Sequence, residues 1–135
     1  DEKHVLQSIA DILSAVADFQ LYIEGVLSEY DLTLEPSPLQ AIEKIKGTDF
    51  DIIMADYQMP IVNGIELLEE VKDEYKNKHY VGIFCTAHGT TYLFENEQKA
   101  GLFQFYLEKP FTPESLQKVM TQAVHLLKKE CVNGK

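Results

Sequence analysis

A doubly wound α/β fold, with a parallel sheet covered by helices on both faces, is predicted from two features of the sequence. The first is a pair of short segments, DFDIIMAD and YVGIFC, that are apolar along their length and do not alternate with polar residues. A strand buried on both faces reads this way. The second is the regular exchange of strand-like and helix-like segments across short connections.

The elements follow in order. DLTLE, residues 31–35, reads as a short strand. SPLQAIEKIKG, residues 37–47, reads as a helix: Ser37 and Gln40 make a capping-box pattern, Pro38 takes the first helical position and Gly47 ends it. Residues 49–56 form an apolar strand that ends in Asp56. Residues 63–75 form a helix with Leu67, Leu68, Val71 and Tyr75 along one side. Residues 80–85 are the second apolar strand, residues 90–100 a helix closed by Gly101, and residues 102–108 a short strand. Residues 112–129 form a helix with Pro113 in its first turn and Leu116, Val119, Met120, Ala123, Leu126 and Leu127 at helical spacing.

The first 30 residues admit three readings. In the favoured one, ILSAVAD (12–18) is a strand ending in Asp18. In the second, HVLQSIAD (4–11) is the strand and Asp11 its acid, which places Gln7 and Ser8 inside a central strand. In the third, Val5, Ile9, Leu13, Val16, Phe19, Ile23, Val26 and Tyr30 share one face of a long helix. Residues 1–10 are then either an N-terminal extension or part of the first strand.

Composition bounds the function. The chain has 135 residues, 45% hydrophobic and 10% aromatic, which fits one globular domain with a real core. Its formal net charge is −10 and its pI near 4.7. That argues against non-specific nucleic-acid or anionic-membrane binding, which need a basic face, and suits a cation or a basic partner. No apolar run approaches the ~20 residues of a membrane span, and no signal-peptide pattern opens the chain. A first residue that is Asp rather than Met fits a domain taken from a longer chain. Cys85 lies in an apolar run and Cys131 in a polar tail, so no disulfide framework is expected and a reducing, cytoplasmic setting is.

In a doubly wound fold, ligands bind beyond the carboxyl ends of the strands. The residues there are Asp56, Thr86 and Lys109. A carboxylate can accept a phosphoryl group, a hydroxyl can hydrogen-bond one of its oxygens, and an ammonium can neutralise its charge. Mg²⁺ suits such a site, because it uses one or two carboxylates together with phosphate oxygens.

DIIMADYQMPIVNG around Asp56, TAH at 86–88, the aromatic Tyr106 and KPFT at 109–112 together resemble the response-regulator receiver domain of two-component signalling, the CheY-like family. The match runs from Ala41 to the end of the last helix. The resemblance implies a single receiver domain over residues 1–135 with a flavodoxin-like, five-stranded parallel sheet in the order 2-1-3-4-5. It implies that Asp56 is the phosphoacceptor, Thr86 the switch hydroxyl, Lys109 the phosphate-pairing lysine with a cis bond to Pro110, and Tyr106 the aromatic whose rotamer follows Thr86. The Gln58 backbone carbonyl would ligate Mg²⁺ with Asp56 and Asp18, and the Gln58 and His88 side chains would tune dephosphorylation.

On this reading the domain is a regulatory phosphoacceptor that assists its own phosphorylation and dephosphorylation, not an enzyme acting on a separate substrate. A histidine kinase or phosphotransfer protein donates the phosphoryl group. A downstream protein, an attached output domain or a second copy of the chain reads the surface formed by residues 90–100, the LFQFYLE strand and the final helix. Neither nucleic acid nor membrane is a partner of this domain.

Receivers carry adjacent acids at the end of the first strand, whereas here the first of the two positions is alanine (Ala17 or Ala10). That keeps open a second class of function, a degenerate receiver acting as a phosphorylation-independent interaction module. A flavin or nucleotide binder of the same fold would need a glycine-rich phosphate loop, which is missing.

Overall fold

A computed structural model of the chain describes residues 9–12, 32–34, 37–57 and 63–133. Five parallel strands form one sheet: β1 (Ile9–Ile12), β2 (Leu32–Leu34), β3 (Ile52–Asp56), β4 (Val81–Ala87) and β5 (Phe105–Lys109), in the order β2-β1-β3-β4-β5. The order reverses direction between β1 and β3, so the binding edge of such a sheet lies at their carboxyl ends.

The strand register settles which residues share a face, because side chains alternate along a strand and registered partners in neighbouring strands point the same way. Ile52, Met54, Val81, Ile83, Cys85 and Leu107 pack on one face. Against them lies helix α4 (Pro113–Asn133), which buries Leu116, Val119, Met120, Ala123 and Leu127 as one stripe at helical spacing. Ile53, Ala55 and Phe84 pack on the other face, under α1 (Pro38–Gly47) and α2 (Gly64–Glu74). All five residues of β3 are buried, which explains why its sequence does not alternate.

Local chemistry fixes the helix ends. Ser37 Oγ accepts from the Gln40 N–H at the start of α1. Asn63 and Glu66 make a reciprocal capping box at the start of α2, with bonds of 2.9 and 3.0 Å. Tyr75 ends α2, and its hydroxyl donates to Thr48 O at 2.5 Å and accepts from the Phe50 N–H at 3.1 Å. One phenol thereby ties α2 to the turn between α1 and β3.

Three expectations are corrected. The slot beside β3 is filled by residues 9–12, not 12–18. The observed strand overlaps the 4–11 reading and excludes a helix through residues 9–12. Gln7 and Ser8 lie outside the described residues, so the polar pair that counted against that reading is not in the described ladder.

The helix expected over 90–100 is instead a 3₁₀ turn (Thr91–Phe94) followed by the short helix α3 (Glu95–Lys99). Of the turn's residues only Phe94 is buried, while Tyr92 and Leu93 are 68% and 57% exposed, so the segment lacks the apolar stripe that would seat a longer helix. The strand expected from residue 102 begins at Phe105. The Gln104 side chain takes the Gly82 N–H at 2.7 Å while the Gln104 N–H donates to Gly82 O, so regular pairing starts one residue later.

Candidate functional site

The sheet delivers Asp56 as the last residue of β3, registered with Cys85 of β4. The backbone holds it from two sides. The Tyr57 N–H donates to Cys85 O at 2.9 Å, extending the ladder one step past the acid. Behind it, α2 begins so close that a Cβ on Gly64 would stand 2.6 Å from Asp56 O and 2.8 Å from its carbonyl carbon. Only glycine permits that approach.

Asp56 is completely buried, and an ionised carboxylate there needs a partner. Lys109, the last residue of β5, supplies it: Nζ lies 2.5 Å from Asp56 Oδ2. The Lys109–Pro110 bond is cis, as the sequence resemblance implied. The His88 N–H donates to Lys109 O at 3.1 Å and so continues the β4–β5 ladder beyond the strands.

Thr86 follows Cys85 in β4 and is 3% exposed. Its hydroxyl lies 2.9 Å from Thr90 Oγ1, and Thr90 donates to Ala87 O at 2.7 Å. Tyr106 of β5 pairs in register with Phe84, and its ring meets Phe103 edge-on at 5.0 Å. Its hydroxyl donates to Thr91 O at 3.1 Å. Burial pushes the Tyr106 phenol above its usual pKa, with Glu95 and Glu97 adding to the effect, so it is held protonated as a donor. The His88 side chain is 83% exposed, with Nδ1 3.0 Å from Glu108 Oε1 at the rim.

The sequence-predicted set therefore divides. Asp56 and Lys109 meet directly, and Thr86 and Tyr106 stand on the neighbouring strands. Gln58 and Asp18 lie outside the described residues. In β1, Asp11 is level with Met54 and not with Asp56.

A carboxylate is a hard oxygen donor with about four lone-pair sites, so the chemistry of Asp56 suits a hard cation as well as a phosphoryl group. Among the described residues no cluster of three or more His, Cys, Asp or Glu side chains could hold a metal, so further ligands would have to come from elsewhere in the chain.

Sequence reasoning missed Thr90 as a member of the site. A threonine at the start of a segment read as helical looks like a cap, and that reading hides a second use. It also missed the His88–Glu108 pair, which brings together two residues of adjacent strand ends that no local pattern connects.

Comparison with known proteins places this geometry. A family model described as the response regulator receiver domain matches residues 2–121. A probable transcriptional regulator, ycf29, of Porphyra purpurea is 31% identical over 96 residues, covering 71% of this chain and 46% of the relative. The chemotaxis protein CheY-3 of Vibrio cholerae is 32% identical over 79 residues, covering 58% of this chain and 60% of the relative. This chain's match thus spans about half the length of these relatives. The receiver domain of a sensor histidine kinase from Pseudomonas aeruginosa, solved with a magnesium ion coordinated in its active-site cleft, superposes with a TM-score of 0.73 at 24% identity, over 88% of this chain and 98% of that one.

Proposed function

The chain belongs to the response regulator receiver domain family of two-component signalling, and from that premise we propose that Asp56 is its phosphoacceptor in a signalling switch. The observation that carries this reading is the fully buried Asp56 carboxylate paired with Lys109 at a ligand-binding strand edge. The donor would be the phosphohistidine of a kinase or a phosphotransfer protein. An Asp56 oxygen attacks phosphorus, an O–P bond forms, the N–P bond breaks, and its electron pair leaves with the imidazole. Lys109, already beside Oδ2, neutralises charge on the phosphoryl oxygens. Thr86, one residue past the strand partner of Asp56, donates its hydroxyl to one of them. Mg²⁺, held by Asp56, the Gln58 backbone carbonyl and an acid from the β1 side (Asp11 or Asp18), would supply the remaining charge neutralisation.

The readout follows from one hydrogen bond. Tyr106 reaches Thr91 O, and the next two residues, Tyr92 and Leu93, are the large exposed apolar side chains of that turn. A move of Tyr106 would therefore reposition a surface suited to a partner protein, an attached output domain or a second copy of the chain. The acidic balance of the chain opposes nucleic acid as a partner of this domain. No helix among the described residues is long and apolar enough to cross a membrane.

A second reading, a phosphorylation-independent interaction module, is favoured by the register of β1. Ala10 and Asp11 are level with Ile53 and Met54, so neither stands beside Asp56. Incubation with acetyl phosphate and Mg²⁺, followed by intact mass, separates the two. Wild type gains one phosphoryl group and Asp56→Asn gains none. A wild type that takes no adduct and gives no heat with Mg²⁺ and beryllofluoride leaves the second reading standing.

A further inference from the structure

Thr90 occupies the N-cap position of the 3₁₀ turn, yet its side chain makes no capping bond there. A threonine in that position ordinarily accepts from the second or third N–H of the helix. Here the hydroxyl turns back toward β4. It donates its one proton to Ala87 O at 2.7 Å. A hydroxyl has a single proton, so the 2.9 Å contact with Thr86 Oγ1 must run the other way, with Thr86 donating and Thr90 accepting.

This direction matters for the site, on the reading that Asp56 is phosphorylated. Thr86 is nearly buried, and its only proton is committed to Thr90. A phosphoryl oxygen on Asp56 needs that same proton. We propose that Thr90 is a positioning residue that acts through Thr86, holding its hydroxyl in the resting state so that each switching event must first break the Thr86–Thr90 bond. Thr90 then sets the resting bias of the switch without touching the phosphoryl group. Ala87 is a fixed anchor for this latch, because its carbonyl also accepts the Thr90 N–H at 3.2 Å.

Beryllofluoride with Mg²⁺ is the probe, titrated calorimetrically into the whole chain. Thr90→Val keeps the shape and removes the acceptor. It leaves the Thr86 hydroxyl unpaired only in the resting state, so the adduct forms about 2- to 10-fold more tightly, the worth of one hydrogen bond. Thr90→Ser restores the acceptor and wild-type affinity, and Thr90→Ala serves in place of Thr90→Val should valine prevent folding. In a Thr86→Ala background, replacing Thr90 changes nothing, a coupling that a purely structural role for Thr90 would not produce. Unchanged or weakened binding in Thr90→Val, or the same gain with Thr86 already removed, overturns the latch alone. A wild type that binds no beryllofluoride overturns the proposed phosphoacceptor role, and the latch with it.

Discussion

One face of the sheet is packed with rings and the other with an aliphatic stripe. On the first, Phe84 is the hub: Phe94 lies 4.7 Å from it, Phe103 4.9 Å, Tyr57 6.0 Å and Tyr106 6.5 Å, centroid to centroid. On the second, α4 lays Leu116, Val119, Met120, Ala123 and Leu127 over Ile83, Cys85 and Leu107. Strand parity extends the division to the site. Asp56 registers with Cys85 and Lys109 shares the parity of Leu107, so the charged pair rises from the aliphatic side. Thr86 and Tyr106 share the parity of Phe84, so they rise from the ring side. A helix gripped along one stripe gives Asp56 and Lys109 a stiff base. Rings that meet at their edges give Thr86 and Tyr106 neighbours that can re-pack, since edge-to-face contacts hold over a range of separations.

The largest expected effect tests whether the faces are separable. Phe84→Ala removes the hub of the ring cluster and should cost about 3–5 kcal/mol, against about 2–4 kcal/mol for Leu116→Ala on the other face. Urea unfolding measures both. Beyond stability, Phe84→Ala should shift the Tyr106 ring resonances and Leu116→Ala should leave them in place. Equal shifts from the two variants would mean that strain crosses the sheet freely and that the division has no functional content.

A smaller effect is expected where the ring-side helix meets the acid. Gly64→Ala drives a methyl into the Asp56 backbone, 2.6 Å from its carbonyl oxygen. No flexible side-chain end can yield there, so α2 or Asp56 must move, at about 1–3 kcal/mol. Acetyl phosphate labelling should slow by more than the stability loss explains. Labelling at the wild-type rate would show that the acid is held from β4 alone, through the Tyr57–Cys85 hydrogen bond.

The same division explains what could be read from the sequence. Asp56 and Thr86 were legible because each stands at or next to the end of a strand whose burial shows in its composition, Lys109 because it closes the short strand before Pro110, and a strand end fixes where a side chain stands. The Ser37 cap was legible because capping is local chemistry. The first strand was not, because Val5, Ile9, Leu13 and Val16 fit a helical face as well as Ile9–Ile12 fit a buried strand, and only pairing with β3 decides between them. The start of β5 depends on the Gln104 side chain answering Gly82, a contact 22 positions apart along the chain. The role of Thr90 was not legible for a related reason: its side chain's partners lie not in the helix it precedes but in the strand it has just left.

The smallest effect uses pH to address the ring side by itself. Tyr80 packs edge-on against Tyr75 at 5.4 Å, and burial, with a contribution from Tyr75, pushes its phenol up to about 12 from 10.0. No tyrosine packs in the aliphatic cluster among the described residues. The folded protein thus keeps a proton on Tyr80 at pH values where the unfolded chain releases it. The resulting stability is fully present below pH 10 and is lost as pH rises through about 12. For a partly exposed phenol screened by solvent it amounts to about 1–2 kcal/mol. Urea midpoints should therefore fall between pH 10 and 12 in the wild type, and the fall should be shallower in Tyr80→Phe. An identical alkaline loss in both would place the titrating group elsewhere. Tyr75 and Tyr106, whose phenols burial also pushes above their usual value, would then be the groups that couple the ring face to protons.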